Sequence, residues 1–141
     1  MSVQAVTHIN FRGQARAALT FYHAVFGGQI MLATYQDFGA VPDGTPADGV
    51  IWGQVVSESG MRIMAYDVQA DKAWHPGENA FYVSLRGDSI KETTSLWERL
   101  VDGGSVVHAL SPARWSPLYG MLTDRFGVTW VIDVAVTAQD A

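Results

Sequence analysis

The feature of this sequence that most constrains its fold is an internal repeat. The segment 52–60 matches the segment 119–127 at an offset of 67 residues, with an aromatic residue and then glycine at the start of both copies, and glycine at the end. Gly27-Gly28 matches Gly103-Gly104 at an offset of 76 residues. The segment 39–49, which is rich in proline and glycine and occurs only in the first copy, accounts for the difference between the two offsets. Such a repeat predicts one supersecondary unit that occurs twice.

Hydrophobic periodicity predicts the same order of elements, β-α-β-β-β, in both copies. Apolar residues recur at helical spacing from Ala15 to Phe26, and the glycine pair that follows is typical of a helix end. In the second copy, Ser89 and Glu92 form a capping-box pattern that predicts the start of a helix. The strands predicted from alternation and turn residues span 3–11, 29–38, 50–56, 61–68, 79–85, 105–110, 118–123 and 128–134.

These elements predict an α+β fold built from two tandem βαβββ modules with mixed sheets. We expect the first module over residues 1–68, a linker over 69–78, the second module over 79–136 and a short tail over 137–141. The inserted loop 39–49 belongs to the first module. A module of about 65 residues is only marginally stable alone, so we expect each module to pack against the other or against a second chain.

Composition excludes several classes of partner. A net charge of −5 provides no basic surface for a phosphate backbone, so nucleic acid is not an expected partner. The chain has no cysteine, which excludes disulfides and thiolate metal sites. No long apolar run and no basic N-terminal signal occur, and we expect a soluble, cytoplasmic protein that does not bind membranes.

Two motifs carry a resemblance to a known family: AALTFYHAVFGG over 17–28 and YGMLTDRFGVTW over 119–130. With the repeat, they make the chain resemble the vicinal oxygen chelate superfamily of glyoxalases, bleomycin-resistance proteins and extradiol dioxygenases. Within it, the motifs are similar to the PhnB-like, or demethylubiquinone-methyltransferase-like, branch. The resemblance implies sheets that curl around a cleft, and a homodimer. It does not fix a reaction, because one fold serves several chemistries.

The resemblance also implies four positions where catalytic members hold a divalent metal ion, on the first and last strands of each module. In this sequence those positions are Thr7, Met64, Phe81 and Val131, and none of them is a metal ligand of the expected kind. We therefore expect no metal cofactor. A shift of one residue on the first strand would instead bring His8 into the first position.

The remaining metal hypothesis combines His8 with Asp133, which lies two residues beyond Val131 and so on the same side of its strand. The other histidines, His23, His75 and His108, show no metal-binding spacing.

Aromatic residues are the most conspicuous candidates for binding. Five tryptophans and five tyrosines in 141 residues exceed what a plain core of this size needs. Aromatic surfaces bind flat or cationic organic molecules by stacking, and the polar tips of the rings fix orientation. The residues predicted to line the cleft are His8, Trp52, Tyr66, Tyr82, Trp115, Tyr119 and Trp130.

The first functional hypothesis is therefore a metal-independent, homodimeric protein that binds a small organic molecule in an aromatic-lined cleft. One alternative is a metal-dependent lyase, isomerase or dioxygenase that uses His8 and Asp133 or a non-standard ligand set. The other is a structural or interaction protein whose cleft is filled by its own side chains.

Overall fold

The computed structural model of the chain describes residues 2–136 and divides into two compact units, Met1–Pro76 and Gly77–Ala141. The boundary falls within the predicted linker 69–78, and the predicted tail 137–141 lies outside the described residues. Each unit contains one four-stranded mixed sheet and one α-helix in the order β-α-β-β-β, so the predicted α+β fold class is confirmed. None of the helices within residues 2–136 is long and apolar enough to cross a membrane.

In unit 1 the strands lie in the order β1-β4-β3-β2, and β1 runs parallel to β4 while the other pairs are antiparallel. The predicted strand 29–38 ends early, because Thr34 and Asp37 exchange two backbone-to-side-chain hydrogen bonds that fold the chain into a short 3-10 helix. The elements are β1 (Thr7–Phe11), α1 (Ala15–Phe26), β2 (Gln29–Thr34), the 3-10 helix (Gln36–Phe38), β3 (Val50–Val56) and β4 (Arg62–Asp67).

Unit 2 repeats this topology in the order β5-β8-β7-β6, with β5 parallel to β8. The Ser89 hydroxyl accepts a hydrogen bond from the Glu92 amide and starts the second helix, as the capping pattern predicts. Strand β6 extends to Ala113 and β7 begins at Ser116, so the interval 111–117 between the two predicted strands is mostly strand. The pairing of β6 with β7 has three irregularities. The elements are β5 (Val83–Gly87), α2 (Ile90–Leu100), β6 (Ser105–Ala113), β7 (Ser116–Thr123) and β8 (Thr129–Val134).

Each helix covers one face of the sheet in its own unit. A Cβ at Gly53 would overlap the Leu19 side chain of α1, and a Cβ at Gly120 would lie 2.9 Å from the Trp97 ring of α2. Glycine at these strand positions therefore lets the helix approach the sheet closely. The apolar side chains of this helix-covered face form the core of each unit: Val55, Ile63 and Ala65 in unit 1, and Leu122, Trp130 and Ile132 in unit 2.

The glycine pairs of the repeat have a steric role at the end of each helix. A Cβ at Gly28 would overlap the carbonyl oxygen of Val56, and a Cβ at Gly104 would overlap that of Thr123. The two carbonyls lie at the ends of β3 and β7, which are 67 residues apart in the sequence. The second glycine of each pair thus permits the backbone to pass the end of the neighbouring hairpin without a clash.

Asp67, at the end of β4, ties three elements of unit 1 together. Its Oδ1 accepts hydrogen bonds from the amides of Gly13 and Ala15, at 2.7 and 3.0 Å, and its Oδ2 accepts one from the amide of Val50 at 3.0 Å. Helix α1 has no side-chain cap of its own, since Gln14 makes no such bond. The buried carboxylate therefore serves as a remote cap for α1 and also fixes the start of β3.

Replacement of Asp67 by asparagine should destabilise the protein by about 3 kcal/mol. The amide has one acceptor oxygen, so at least one of the three N–H groups, two of which make buried bonds, would face the donor NH2 group. Urea unfolding of Asp67→Asn measures the change. The control is Asp71→Asn, at an exposed carboxylate four residues away, which should change the free energy of unfolding by less than about 0.5 kcal/mol. Equal stability of the two variants would contradict the capping role.

Candidate functional site

Opposite each helix, the sheet has a second face, which we call the helix-free face. In unit 1 it carries the side chains that alternate with the core residues of β3 and β4. The strand register aligns four of them in a row across the sheet, in the order Met31, Gln54, Met64 and His8. This face is thus built from long, flexible and polar side chains instead of the small apolar ones of the core.

Two aromatic residues lie on the helix-free face of unit 1 one step further along the strands. Trp52 and Tyr66 are both half-buried, and the Tyr66 ring lies 5.4 Å from the His8 imidazole, between ring centroids. The Nδ1 atom of His8 donates to Oδ1 of Asn10 at 3.0 Å. That bond orients the imidazole and leaves its Nε2 as an acceptor. The three rings offer apolar faces with polar tips, which can stack on a planar molecule and orient it.

The helix-free face of unit 2 carries an aromatic cluster centred on Tyr119. The Tyr119 ring contacts His108 at 5.0 Å and Trp115 at 5.1 Å between centroids, both in edge-to-face orientation. Tyr119 is half-buried, whereas Trp115 is 60% exposed. Because edge-to-face packing holds each ring at an angle to the next, the cluster presents a rigid, angled apolar surface.

Beside this cluster, Arg86 and Asp133 form an ion pair on the same face. Nε and Nη2 of Arg86 donate to the two carboxylate oxygens of Asp133 at 3.0 and 3.1 Å. The Asp133 side chain is only 9% exposed, whereas that of Arg86 is 67% exposed. The hydrogen bonds to Asp133 and its negative charge raise the pKa of Arg86, so the guanidinium stays charged. The strand register places Asp133 between Arg86 and Tyr119.

The structure brings most of the predicted binding residues to these two faces. His8, Trp52 and Tyr66 lie together in unit 1, and Trp115 and Tyr119 lie together in unit 2. Tyr82 lies apart from both groups, because it precedes β5 and its hydroxyl donates to Asn79 at 2.8 Å.

The prediction that Trp130 lines a binding surface is wrong. Its side chain is fully buried on the helix-covered face of unit 2, and its indole N–H donates to Asp124 at 2.9 Å. The reason is alternation along β8, which turns Trp130 and Ile132 toward the helix and Val131 and Asp133 away from it.

The structure also corrects two of the four implied metal positions. Thr7 pairs with Ile63, whose side chain belongs to the core, whereas His8 pairs with Met64 on the helix-free face. Phe81 precedes β5, and the residue paired with Val131 is Ser84. A one-residue change of register moves a side chain to the other face, which is why these positions are sensitive to small alignment errors.

The residues present do not fit the divalent ion that the family implies. The corrected positions hold a single imidazole, in His8, beside the thioether of Met64, while Ser84 and Val131 supply a hydroxyl and an alkyl group. Asp133 is the other residue of the metal hypothesis that includes His8, and its carboxylate is already bound by Arg86. Within residues 2–136, no group of three or more histidine or acidic side chains is placed to share a metal ion.

Reasoning from the sequence missed two members of these surfaces. No spacing in the sequence indicates a role for His108, yet its ring contacts Tyr119 across the β6–β7 hairpin. No pattern in the sequence distinguishes Arg86 from other charged residues. The pairing of β5 with β8 places it beside Asp133, which is 47 residues away in the sequence. The signal in the sequence is the alternation of β5, which turns Arg86 and Leu85 to opposite faces.

Known proteins with this fold match most of the chain. The family profile described as the Glyoxalase/Bleomycin resistance protein/Dioxygenase superfamily matches residues 5–132. Protein PA1353 from Pseudomonas aeruginosa is 32% identical, with 95% of this chain and 98% of that chain covered and a TM-score of 0.84. The PhnB protein from Bacillus cereus, described as a putative 3-demethylubiquinone-9 3-methyltransferase, is 22% identical, with 94% and 100% covered and a TM-score of 0.70. Protein YjdN of Escherichia coli (strain K12) is 22% identical, with 90% and 92% covered.

Loss of either partner of the Arg86–Asp133 pair should have unequal effects on stability. Arg86→Met leaves a buried carboxylate without its cation, whereas Asp133→Asn leaves a largely solvated guanidinium. We expect the loss in unfolding free energy for Arg86→Met to exceed that for Asp133→Asn by a factor of about two or more. Urea unfolding at pH 7 measures both losses. A larger loss for Asp133→Asn would contradict this.

Proposed function

Because the chain belongs to the Glyoxalase/Bleomycin resistance protein/Dioxygenase superfamily, whose fold carries several chemistries, we propose from its own side chains that it binds small planar organic molecules without a metal ion. The observation that carries this proposal is the set of partly exposed rings on the helix-free faces. Trp52 and Tyr66 in unit 1, and Tyr119 in unit 2, lie on strands, and their partial burial restricts the rotation of the rings.

Rings fixed in this way bind flat molecules at low entropic cost. A strand-borne aromatic side chain with neighbours on both sides loses little further freedom when a ligand stacks on it. The Tyr119 hydroxyl and the Nε2 atom of His8 add polar groups that can orient a ligand. This combination of apolar faces and a few directional polar atoms is typical of small-molecule sites.

The metal-dependent alternative has less support. A lyase, isomerase or dioxygenase of this kind needs several nitrogen and oxygen ligands around one ion with open positions for substrate. His8 has Met64 as its neighbour on β4, where a carboxylate would be required, and Asp133 is held by Arg86. The other alternative, a structural protein whose cleft is filled by its own side chains, requires that those side chains cover the aromatic rings. Trp115 is instead mostly exposed.

Binding of the neutral planar probe 2-naphthol should depend on the strand-borne rings and not on metal. We expect Trp52→Leu and Tyr119→Leu each to weaken binding about 3- to 10-fold at the corresponding unit, because each removes one stacking surface. Isothermal titration calorimetry measures the affinity, with Phe38→Leu as a matched control, since Phe38 is an exposed aromatic residue on the 3-10 helix. Addition of EDTA should leave the affinity unchanged.

Two results would contradict the proposal in different ways. Stoichiometric metal in protein purified without chelator, together with loss of binding in EDTA, would favour the metal-dependent alternative. Failure of any planar probe to bind or to raise the melting temperature would favour the structural alternative. A saturating ligand at about 100 times its dissociation constant should stabilise the folded protein by about 2.7 kcal/mol.

We also propose that two copies of the chain associate through β6, which forms an edge of its sheet. Residues 105–109 are exposed without interruption, and Val106 and Val107 are 53% and 58% exposed. An apolar edge strand without charged residues pairs readily with another strand. A cytoplasmic location for this dimer stays a prediction from the sequence.

Light scattering of the intact protein should give about twice the chain mass of 15.4 kDa. Val107→Lys should shift the particles to the mass of one chain, because an edge-strand lysine opposes pairing. Val3→Lys places the same charge on another exposed apolar residue, away from the strands, and should leave the dimer intact. A wild-type particle of monomer mass would contradict the proposal.

A further inference from the structure

We propose that the helix-free face of unit 2 selects aromatic carboxylates. The ligand's carboxylate would accept hydrogen bonds from Arg86, and its ring would pack against Tyr119 and Trp115. The inference rests on the proposed function and deepens it, since it assigns a ligand class and an anchoring residue to one of the two faces.

The ion pair with Asp133 leaves one complete edge of the Arg86 guanidinium available. Asp133 occupies Nε and Nη2, which form the side edge of the fork. The end edge, formed by Nη1 and Nη2, retains N–H groups that make no hydrogen bond among residues 2–136. A carboxylate fits such an edge through two parallel N–H···O bonds.

The buried position of Asp133 makes Arg86 a better anchor than an ordinary surface arginine. An unpaired surface arginine loses much rotamer freedom when it binds an anion. Here the two bonds from Asp133, which is itself nine-tenths buried, already fix the direction of the guanidinium. A ligand therefore meets a cation that is oriented before binding, while most of its surface is still exposed.

The charges on the rest of this face favour an anion. Asp133 is the only carboxylate that strand register places on it among the paired residues of β5, β7 and β8, and it is already matched by Arg86. The other paired side chains of this face on those strands are uncharged: Ser84, Tyr119, Met121, Thr123, Thr129 and Val131. No second acidic group of these strands would repel a ligand carboxylate at the free edge.

The spacing of the strands sets the length of the ligand. Arg86 and Tyr119 lie on strands that flank β8, so their backbones are about 10 Å apart. The Arg86 side chain reaches over β8 to Asp133, which shortens the distance from the guanidinium to the Tyr119 ring. A phenyl ring that carries a carboxylate on a short chain spans such a gap. The Trp115 ring, whose centroid lies 5.1 Å from that of Tyr119, extends the apolar surface on which the ligand's phenyl ring would pack.

Unit 1 provides an internal comparison, because it lacks the cation. The register equivalents of Arg86, Asp133 and Tyr119 are Asn10, Tyr66 and Trp52. In that set Trp52 keeps an aromatic ring at the position of Tyr119, while the amide of Asn10 and the phenol of Tyr66 replace the ion pair. Selection of a carboxylate should therefore be confined to unit 2.

The test compares 3-phenylpropanoate with its neutral amide, 3-phenylpropanamide, and with hexanoate, which keeps the carboxylate but lacks the ring. We expect 3-phenylpropanoate to bind at least about tenfold more tightly than either of the others, by calorimetry on the full chain. In NMR spectra, its resonance shifts should map to Arg86, Tyr119 and Trp115. The amide should shift resonances in both units with similar affinity.

The variant Arg86→Lys tests whether carboxylate binding needs the planar guanidinium group or only its positive charge. Lysine keeps the positive charge and can still pair with Asp133, but it has no second edge for a bidentate bond. We expect about tenfold weaker binding of 3-phenylpropanoate and unchanged binding of the amide. Arg99→Lys, at an exposed arginine of α2, is the matched control and should change neither. If Arg86→Lys does not fold, Tyr119→Leu gives the complementary test, with loss of 3-phenylpropanoate binding and no effect on hexanoate.

Equal affinity for the acid and the amide would overturn the carboxylate assignment but leave the proposed binding function in place. Resonance shifts from the acid confined to unit 1 would overturn it in the same way. Absence of binding by all three probes and by 2-naphthol would instead remove the proposed function itself.

Discussion

The architecture of unit 1 depends on a single buried carboxylate. Asp67 accepts three backbone N–H groups, from the β1–α1 turn, from the first residue of α1 and from the first residue of β3. The same residue position in unit 2 is Val134, and there the helix is capped by Ser89 while the Ser116 hydroxyl bonds the Val134 amide. The two units thus keep one topology while different side chains bond the backbone around the start of the helix and the end of the last strand, since buried N–H groups must find an acceptor.

In each unit the helix covers one face of the sheet, and the helix-free face carries the side chains that can contact a ligand. The covered face needs small or compact residues, and Gly53 and Gly120 allow the helices to approach closely. The helix-free face has no such requirement and carries imidazole, indole, phenol and guanidinium groups instead. The division follows from the two-residue period of a strand, which assigns neighbouring residues such as Trp130 and Val131 to opposite faces.

At the positions where the family implies metal ligands, this chain keeps the backbone frame and carries different side chains. His8 persists at the position beside β4, but Met64 stands next to it, and Ser84 and Val131 occupy the corresponding pair in unit 2. None of these replacements disturbs the sheet, because helix-free side chains contribute little to the core. The Arg86–Asp133 pair and the Tyr119 cluster are specific to unit 2, so the two faces differ in charge although their backbones correspond.

The sequence alone determined the order of the elements, the bounds of α1 and β3 and the α+β class, because these follow from local periodicity and from the capping and turn residues that end each element. It could not decide between Thr7 and His8, or recognise Trp130 as a core residue, because a shift of one position reverses the face of every side chain on a strand. Only the tertiary structure placed Arg86 against Asp133 and His108 against Tyr119. Those contacts join strands through pairings between distant residues, and neither periodicity nor spacing encodes the register of such pairings.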